Sequence, residues 1–472
     1  MKFQHLLIIL LSAIGLKGSA QVIQSAQPLE LKKSTYYHTA LAAPDANYSQ
    51  LVTFVADKEK LTALRYNSVL YFTDSLSTKR PDTNYDLMAG YSYDAERQVT
   101  VYWAEDNYTR IQPVNFNFET KAVTAGTLIS LSLREENIIT TFSDNNSFYL
   151  ITLPRNNKEE DILRFYTFSN GRVATHSVDF SGIELRSISN KEISINDMLE
   201  AYPLQKIDTR AYNSLTNTTS KLKFYISNGE MIFTLDHNAA YTQIITLNLN
   251  TYTLTGKSIP QPQLQTTGEG NSYLHEGRLY QLKANKDQLA LSATDLATGE
   301  LVKSYSANST DSISFKDSDL VSQTGSGRSK VFKDTKKFLQ RLEASTIALS
   351  VYQTPDDILV TAGGVRNVIP AGSAILGAAL IAAGGSEALM GEFFDPESQQ
   401  LNYFEGTFDE NFEHRPFRPG MLAVDYLSGF MASNERNIQL VSVFPFGYDV
   451  VLGYYDAKAK QYVLRKFTDD DL

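Results

Sequence analysis

The 472-residue chain contains no cysteine and a single tryptophan, Trp103. Without cysteine there is no disulfide framework, no thiolate nucleophile and no lipid-bearing cysteine, so an exported domain of this size has to hold itself together by packing. Positive charge is also scarce, with 43 Lys and Arg against 53 Asp and Glu and a net charge of −10. The sequence therefore lacks the electrostatic footprint of a nucleic-acid partner. Its six histidines, His5, His38, His176, His237, His275 and His414, lie more than 30 residues apart. That spacing excludes a local zinc motif. No Gly-x-Ser-x-Gly elbow occurs, and "TGSGRSK" from Thr324 lacks the spacing of a phosphate loop. No catalytic, cofactor-binding or metal residue, and no cofactor, is expected from motifs.

Long apolar runs are nearly absent too. The first, in "MKFQHLLIILLSAIGLKGSAQ", has Lys2 ahead of Leu6 to Leu16 and small residues Gly18 and Ala20 before a plausible cut. At about 11 residues it is too short for a membrane helix of roughly 20. Residues 1–20 read as a cleaved secretory signal, and the chain is expected in the periplasm or outside the cell. With Lys2 and Lys17 removed, the 43 basic residues fall to 41 and the net charge moves from −10 to −12.

The second run, Val368 to Gly385, is rich in Ala and Gly and opposed by Pro370 and Ser373. Its six large aliphatic residues supply only about −2 to −4 kcal/mol for insertion. No transmembrane span is expected in the mature chain. As a loop or a helix with Ala374, Ala378 and Ala382 on one face, it presents Ile375, Leu376, Leu380 and Ile381 as candidate contacts for a partner or a membrane surface.

What the sequence has in quantity is Tyr (27) and Phe (25), set in short apolar stretches between polar turns. "QVTVYWA", "SFYLITL", "KLKFYIS", "QIITLNL" and "YDVVLGYYD" are of this kind, which favours strands. Similar turns recur at Glu119, Asn170, Asn250, Asp295, Asp395 and Asp456. Asp and Asn bond a turn backbone, and Gly tolerates positive φ. The short intervals suggest a unit of about 45–50 residues, the size of a four-stranded propeller blade. The expectation is an all-β chain: one β-propeller domain over 21–472, of about seven four-stranded blades, with short helical or irregular inserts near 183–220, 310–345 and 365–386. Stacked sandwiches are the competing architecture. An outer-membrane barrel would need longer segments with a uniform apolar face.

"DLATGELVKSY", from Asp295 to Tyr305, resembles the hairpin of quinoprotein-type propeller repeats, with Tyr305 where that repeat has Trp. No quinone site carries over. More broadly, the exported chain with weak blade repeats and a Gly/Ala-rich insert resembles uncharacterised secreted β-propeller-like proteins of Bacteroidetes. The resemblance implies a fold and a compartment and assigns no activity.

Two clusters remain. In "RSKVFKDTKKFLQRLEAS", Phe332, Thr335, Phe338, Leu339 and Leu342 share a helical face, and Lys333, Lys336, Lys337 and Arg341 lie largely opposite. A surface helix docked on the sheets is expected. In "FDENFEHRPFRPG", Asp409, Glu410, Glu413, His414, Arg415 and Arg418 mix with aromatics and read as a solvated loop between blades. The functional expectation is a non-catalytic propeller binding an envelope protein or a glycan. The alternatives are a hydrolytic propeller with a carboxylate pair in its central funnel and a membrane-attached assembly component acting through Val368 to Gly385.

Overall fold

The computed structural model describes residues 21–155, 161–325, 329–367, 399–417 and 420–470. The run from Val368 to Gly385, with Ile375, Leu376, Leu380 and Ile381, lies outside them, as do residues 1–20 and Arg418.

Strands form wherever the sequence sets β-branched and aromatic residues between Asn, Asp and Gly turns, and they pair into seven sheets. The first sheet runs in order through β2 (Thr39–Pro44), β3 (Gln50–Ala56), β4 (Lys60–Asn67) and β5 (Phe72–Lys79). The second follows with β6 (Leu87–Tyr93), β7 (Val99–Ala104), β8 (Arg110–Asn117) and β9 (Ala122–Ala125), and β10 (Ile129–Ser130) also pairs with β8. The third holds β11 (Glu136–Asp144), β12 (Ser147–Pro154), β13 (Ile162–Ser169) and β14 (Arg172–Asp179).

The fourth sheet holds β15 (Leu204–Ile207), β16 (Leu222–Ser227), β17 (Glu230–Leu235), β18 (Tyr241–Asn248) and β19 (Leu254–Pro260). In the fifth are β20 (Glu269–His275), β21 (Arg278–Ala284), β22 (Gln288–Asp295) and β23 (Leu301–Asn308). Where nothing intervenes, the strands that open successive antiparallel runs start 48, 49 and 47 residues apart, from Thr39 to Leu87, Leu87 to Glu136 and Leu222 to Glu269.

The last two sheets depart from chain order. The sixth runs β26 (Thr346–Gln353), β27 (Ile358–Asn367) and β28 (Gln399–Phe408), then takes its outer edge from the earlier β24 (Val321–Thr324), which pairs β25 (Lys330–Val331). The seventh runs β29 (Ile438–Phe446), β30 (Asp449–Asp456) and β31 (Gln461–Phe467), and its outer strand is β1 (Gln21–Pro28), with Gln21 opposite Phe467 and Pro28 opposite Gln461. The N-terminal strand thus completes the C-terminal sheet.

Burial shows that the sheets form a closed ring. Separate apolar clusters lie between the first and second sheets, with Phe54 against Phe116, and between the second and third, with Tyr102 against Phe148 and Phe168. Others join the third to the fourth, and the fourth through the fifth to the sixth. A further cluster joins the sixth to the seventh, and the last links Phe444, Tyr455 and Tyr462 of the seventh to Leu51 and Tyr66 of the first. Sheets packed side by side around a circle, each meeting the next and the last meeting the first, define a β-propeller.

Short helices fill the connections: α1 (Ile195–Ala201), α2 (Thr335–Glu343) and α3 (Ala423–Asn434). Helix α2 is capped by Asp334 and buries Thr335, Phe338, Leu339 and Leu342, the face expected from its sequence. Asp295 accepts from the Thr298 backbone at 2.8 Å while Gly299 takes φ +77°, closing the β22–β23 hairpin. Asn117 and Asn248 make the same kind of turn, between β8 and β9 and between β18 and β19. Asp456 makes it between the second and third strands of its sheet, so equivalent turns do not all mark equivalent positions. Among the described residues no helix is long and apolar enough to cross a membrane.

Candidate functional site

In the expected architecture residues 183–220 were only an insert. The structure runs part of that stretch through the axis of the ring. Strand β15 lies parallel to β16, Leu204 opposite Leu222 and Ile207 opposite Tyr225, on the inner side of the fourth sheet. The chain turns at Asp208 to Arg210 and returns. On that return Asn213, fully buried, donates to the Tyr273 hydroxyl at 2.9 Å, and its carbonyl accepts from Ser350 of β26. The Tyr212 ring meets Tyr352 edge-on at 5.9 Å, Leu215 packs with Ala348 and Val365, and the Thr218 carbonyl accepts from Asn271 at 3.1 Å. This plug touches the fifth and sixth sheets, reaches the third through Lys206 over the Phe142 ring, and shares an apolar cluster with the seventh through Ala211.

At the tip of the plug Arg210 grips Asp208 with Nε and Nη2, both at 2.9 Å, and donates from Nη1 to the Tyr48 hydroxyl of the first sheet. The Arg210 side chain is 56% exposed, while the Asp208 side chain it holds is mostly buried. Burial is the largest single influence and acts to raise Asp208, but the Arg210 guanidinium, together with Lys206 and the Arg210 backbone N–H, holds the carboxyl below its ordinary value. For Asp144, at the end of β11, burial prevails over Arg210 and Lys206 and the carboxyl is raised. Burial also raises the Tyr48 hydroxyl. Two carboxylates of opposite tendency therefore lie in the field of one guanidinium, which bonds only Asp208 of the two.

A second region opens where the sixth and seventh sheets meet. There a cleft of about 860 Å³ lies between the β27–β28 face, helix α3 and the plug. Tyr212, Ser214 and Thr216 come from the plug, Thr361 and Tyr403 from the sixth sheet, and Asp425 from α3. The volume falls within the roughly 300–1,000 Å³ of ligand sites. The start of α3 is held by its own acids: Leu422 N–H donates to Asp425 at 2.9 Å, Ala423 N–H to Asp469 at 2.7 Å and Met421 N–H to Asp470 at 3.1 Å. Burial, reinforced by the neighbouring carboxylates, raises Asp469.

The acid and base cluster after β28 does structural work. His414 meets Asp317 at 3.1 Å, Arg415 reaches Asp357 at 2.9 Å and Glu413 accepts from Lys303 at 2.5 Å. Tyr305, where the resembled repeat has Trp, is ringed by Phe315, Phe408 and Phe412, and its hydroxyl bonds the Phe412 carbonyl and the His414 N–H. The described histidines stay apart: His176 stacks on Tyr252 and His237 bonds the Arg186 carbonyl. Among the described residues no group of three His, Cys, Asp or Glu could hold a metal ion.

Sequence reasoning missed Tyr48, Asp144, Asp208, Arg210 and Ser214. The one local signal was "AYPLQKIDTRAYNSLTNTTS", too polar and hydroxyl-rich for a strand pair and too long for a turn.

No protein-family model and no curated protein matches the sequence. Among solved structures the chain is similar to the WD40 domain of SCAP from fission yeast, at 10% identity over 96% of this chain and 98% of that one, with a TM-score of 0.31. It is similar to the Nup133 β-propeller domain of Vanderwaltozyma polyspora at 11% identity, over 95% and 97%, with a TM-score of 0.33. An oligogalacturonate lyase in complex with manganese matches at 8% identity, over 95% and 98%, with a TM-score of 0.32. Likeness at this level transfers no activity. The propeller rests on the sheet order and the closed ring of apolar clusters.

Proposed function

We propose that this chain is an exported, non-catalytic propeller that binds a protein or glycan partner in the bacterial envelope, in the periplasm or outside the cell. The export signal and the resemblance to secreted propeller-like proteins of Bacteroidetes support the compartment. The observation that carries the binding role is the pairing of a filled axis with an open cleft. Catalytic propeller chemistry on carboxylates would need an accessible funnel, and here the plug occupies the axis with Asp208 clamped by Arg210. The cleft beside it offers a ligand-sized space lined by the plug, the sixth sheet and helix α3.

The hydrolytic reading has one observation in its favour, the opposite tendencies of Asp144 and Asp208 at the axial mouth. Sedimenting purified residues 21–472 with isolated cell envelopes separates the two. Saturable binding, weakened by Tyr403→Ala and without release of reducing sugar, is the expected result. Catalytic release of sugar abolished by Asp208→Asn, or no envelope binding at all, overturns the proposal.

A further inference from the structure

We infer that β1 is an exchangeable closing strand, and that the edge of β31 beneath it is a docking site for an uncharged, extended segment of another polypeptide. No residue of either strand lines the cleft, so this surface is separate from it and stands without it.

Strand β1 pairs with β31 along its length, Gln21 opposite Phe467 and Pro28 opposite Gln461. Backbone bonding does most of the holding. Of its residues only Ser25 is buried, and Val22 and Ile23 are 41% and 52% exposed. No side chain of β1 belongs to any of the described apolar clusters. Outer strands of the same eight-residue length differ: β5 sets Leu76, β14 Val178 and β23 Ala307 in those clusters. The ladder is also interrupted by a bulge between Ile23 and Ser25, and Pro28 has no N–H to donate. A strand that buries no apolar side chain has little beyond its remaining bonds to oppose local opening.

Its surroundings are fixed independently. In β31, Tyr462, Leu464 and Phe467 are sealed from solvent by the clusters on either side of the seventh sheet. Directly after β1, Leu29 is buried between the seventh and first sheets and its N–H donates to the Lys460 carbonyl at 2.9 Å. Lys32 N–H then donates to Asp57 at 3.0 Å. Residues 21–28 can therefore leave while β31 and residues 29–32 keep their places, which uncovers a row of backbone donors and acceptors.

A polypeptide added to such an edge is held by main-chain bonds and selected by the few side chains that meet the sheet. Ser25, opposite Leu464, is the buried position, so a small residue is required there. The cations of β31 are engaged already, Lys466 with Asp449 at 3.1 Å and Arg465 over the Phe430 ring at 4.4 Å, so the edge calls for no acid. Strand β1 has no charged residue, whereas β5, β14 and β23 each carry at least one, and charge on an outer strand guards against strand addition.

The lack of cysteine in the chain allows a register-specific trap. In purified residues 21–472, the hydrogen-bonded amides of β1 should exchange with deuterium about a hundredfold or more faster than those of β30. The Lys466→Cys variant, shown to be folded by circular dichroism, is then mixed with synthetic octapeptides of residues 21–28 in a glutathione redox buffer. A peptide carrying Val22→Cys, which the register sets opposite position 466, should form a mixed disulfide about tenfold more than one carrying Ala26→Cys. Cysteine-free octapeptide should halve that trapping at about millimolar concentration, where it matches the tethered strand. The same competitor with Ser25→Arg, a charge at the buried position, should not. Exchange in β1 as slow as in β30 overturns the inference in the unaltered chain. Equal trapping of the two cysteine peptides, or none, overturns it as well. If Lys466→Cys instead joins a Val22→Cys copy of the whole chain and no peptide, the occupant is a second copy and the inference falls.

Discussion

The side-chain amide of Asn213 donates to the Tyr273 hydroxyl at 2.9 Å, and both residues are sealed from solvent. The same amide bonds the carbonyls of Asp208 at 2.9 Å and Ala211 at 2.8 Å, so one group holds the plug's turn and fastens it to the fifth sheet. Asn213→Ala strands these buried partners and should cost about 1–3 kcal/mol. Urea unfolding reads this as a lower midpoint, and an unchanged midpoint would show that the plug is not a structural member of the ring.

The buried pair between Lys223 and Asp236, at 3.0 Å, acts in the same part of the ring. Asp236 also accepts from Thr242 at 2.7 Å and from the Ser272 hydroxyl at 2.8 Å, which ties the fourth sheet to the fifth. Asp236→Ala leaves the lysine buried without its counter-charge, with only the Ser220 carbonyl and the Asn271 amide oxygen to accept from it, at a cost of about 3–5 kcal/mol. Replacing both by apolar residues of similar volume, Lys223→Met with Asp236→Leu, should recover much of that loss. If the double variant is no more stable than Asp236→Ala, lysine desolvation is not the cause.

Gly90 stands beside the Phe148 ring, where an added Cβ would lie 2.2 Å from ring carbon. Phe148 is fully buried between the second and third sheets, packed against Tyr102 and Phe168. Gly90→Ala should cost about 1–3 kcal/mol through overpacking. Gly182, where a Cβ meets nothing within 4 Å, serves as the control and should tolerate alanine within about 0.5 kcal/mol in the same melt.

Acid should weaken the fold through two histidines. Burial lowers both His237 and His275 below their ordinary value, and neither ring nitrogen of His275 has a hydrogen-bond partner. A lowered value means the unfolded chain takes up the proton first, so stability is complete above about pH 6.5 and is lost as the pH falls toward and through the folded-state values. The melting temperature should therefore drop between pH 7 and pH 5 beyond what the carboxylates cause. His275→Phe should flatten part of that drop, and identical pH profiles for the two proteins would exclude His275 as a contributor.

Much of the ring was legible because it is local. Asp295, Thr298 and Gly299 close their hairpin through contacts a few residues apart, and "SFYLITL" alternates into a strand whose partners are its sequence neighbours. The docked face of α2 was legible for the same reason, since a helical period is short. The plug was not legible. Nothing near Arg210 announces Tyr48, 162 positions earlier, and nothing in "AYNSLT" distinguishes a surface insert from a segment threaded along the axis. The Asp425 and Ser214 side of the cleft was hidden likewise, because its described walls come from residues 212–216, 323–325, 359–361, 399–405 and 420–428 and from Asp470.

By itself, then, the sequence determined the strands, their hairpin turns and a repeat of about 45–50 residues, since pleat period and turn chemistry act over a few positions. Tertiary structure alone decided that β1 completes the seventh sheet and that β24 supplies the outer edge of the sixth. It also decided that the axis is filled while one inter-sheet junction stays open. Those outcomes depend on which buried polar groups find partners once the ring closes, and partners such as Asn213 with Tyr273 and Arg210 with Tyr48 meet only in the folded chain.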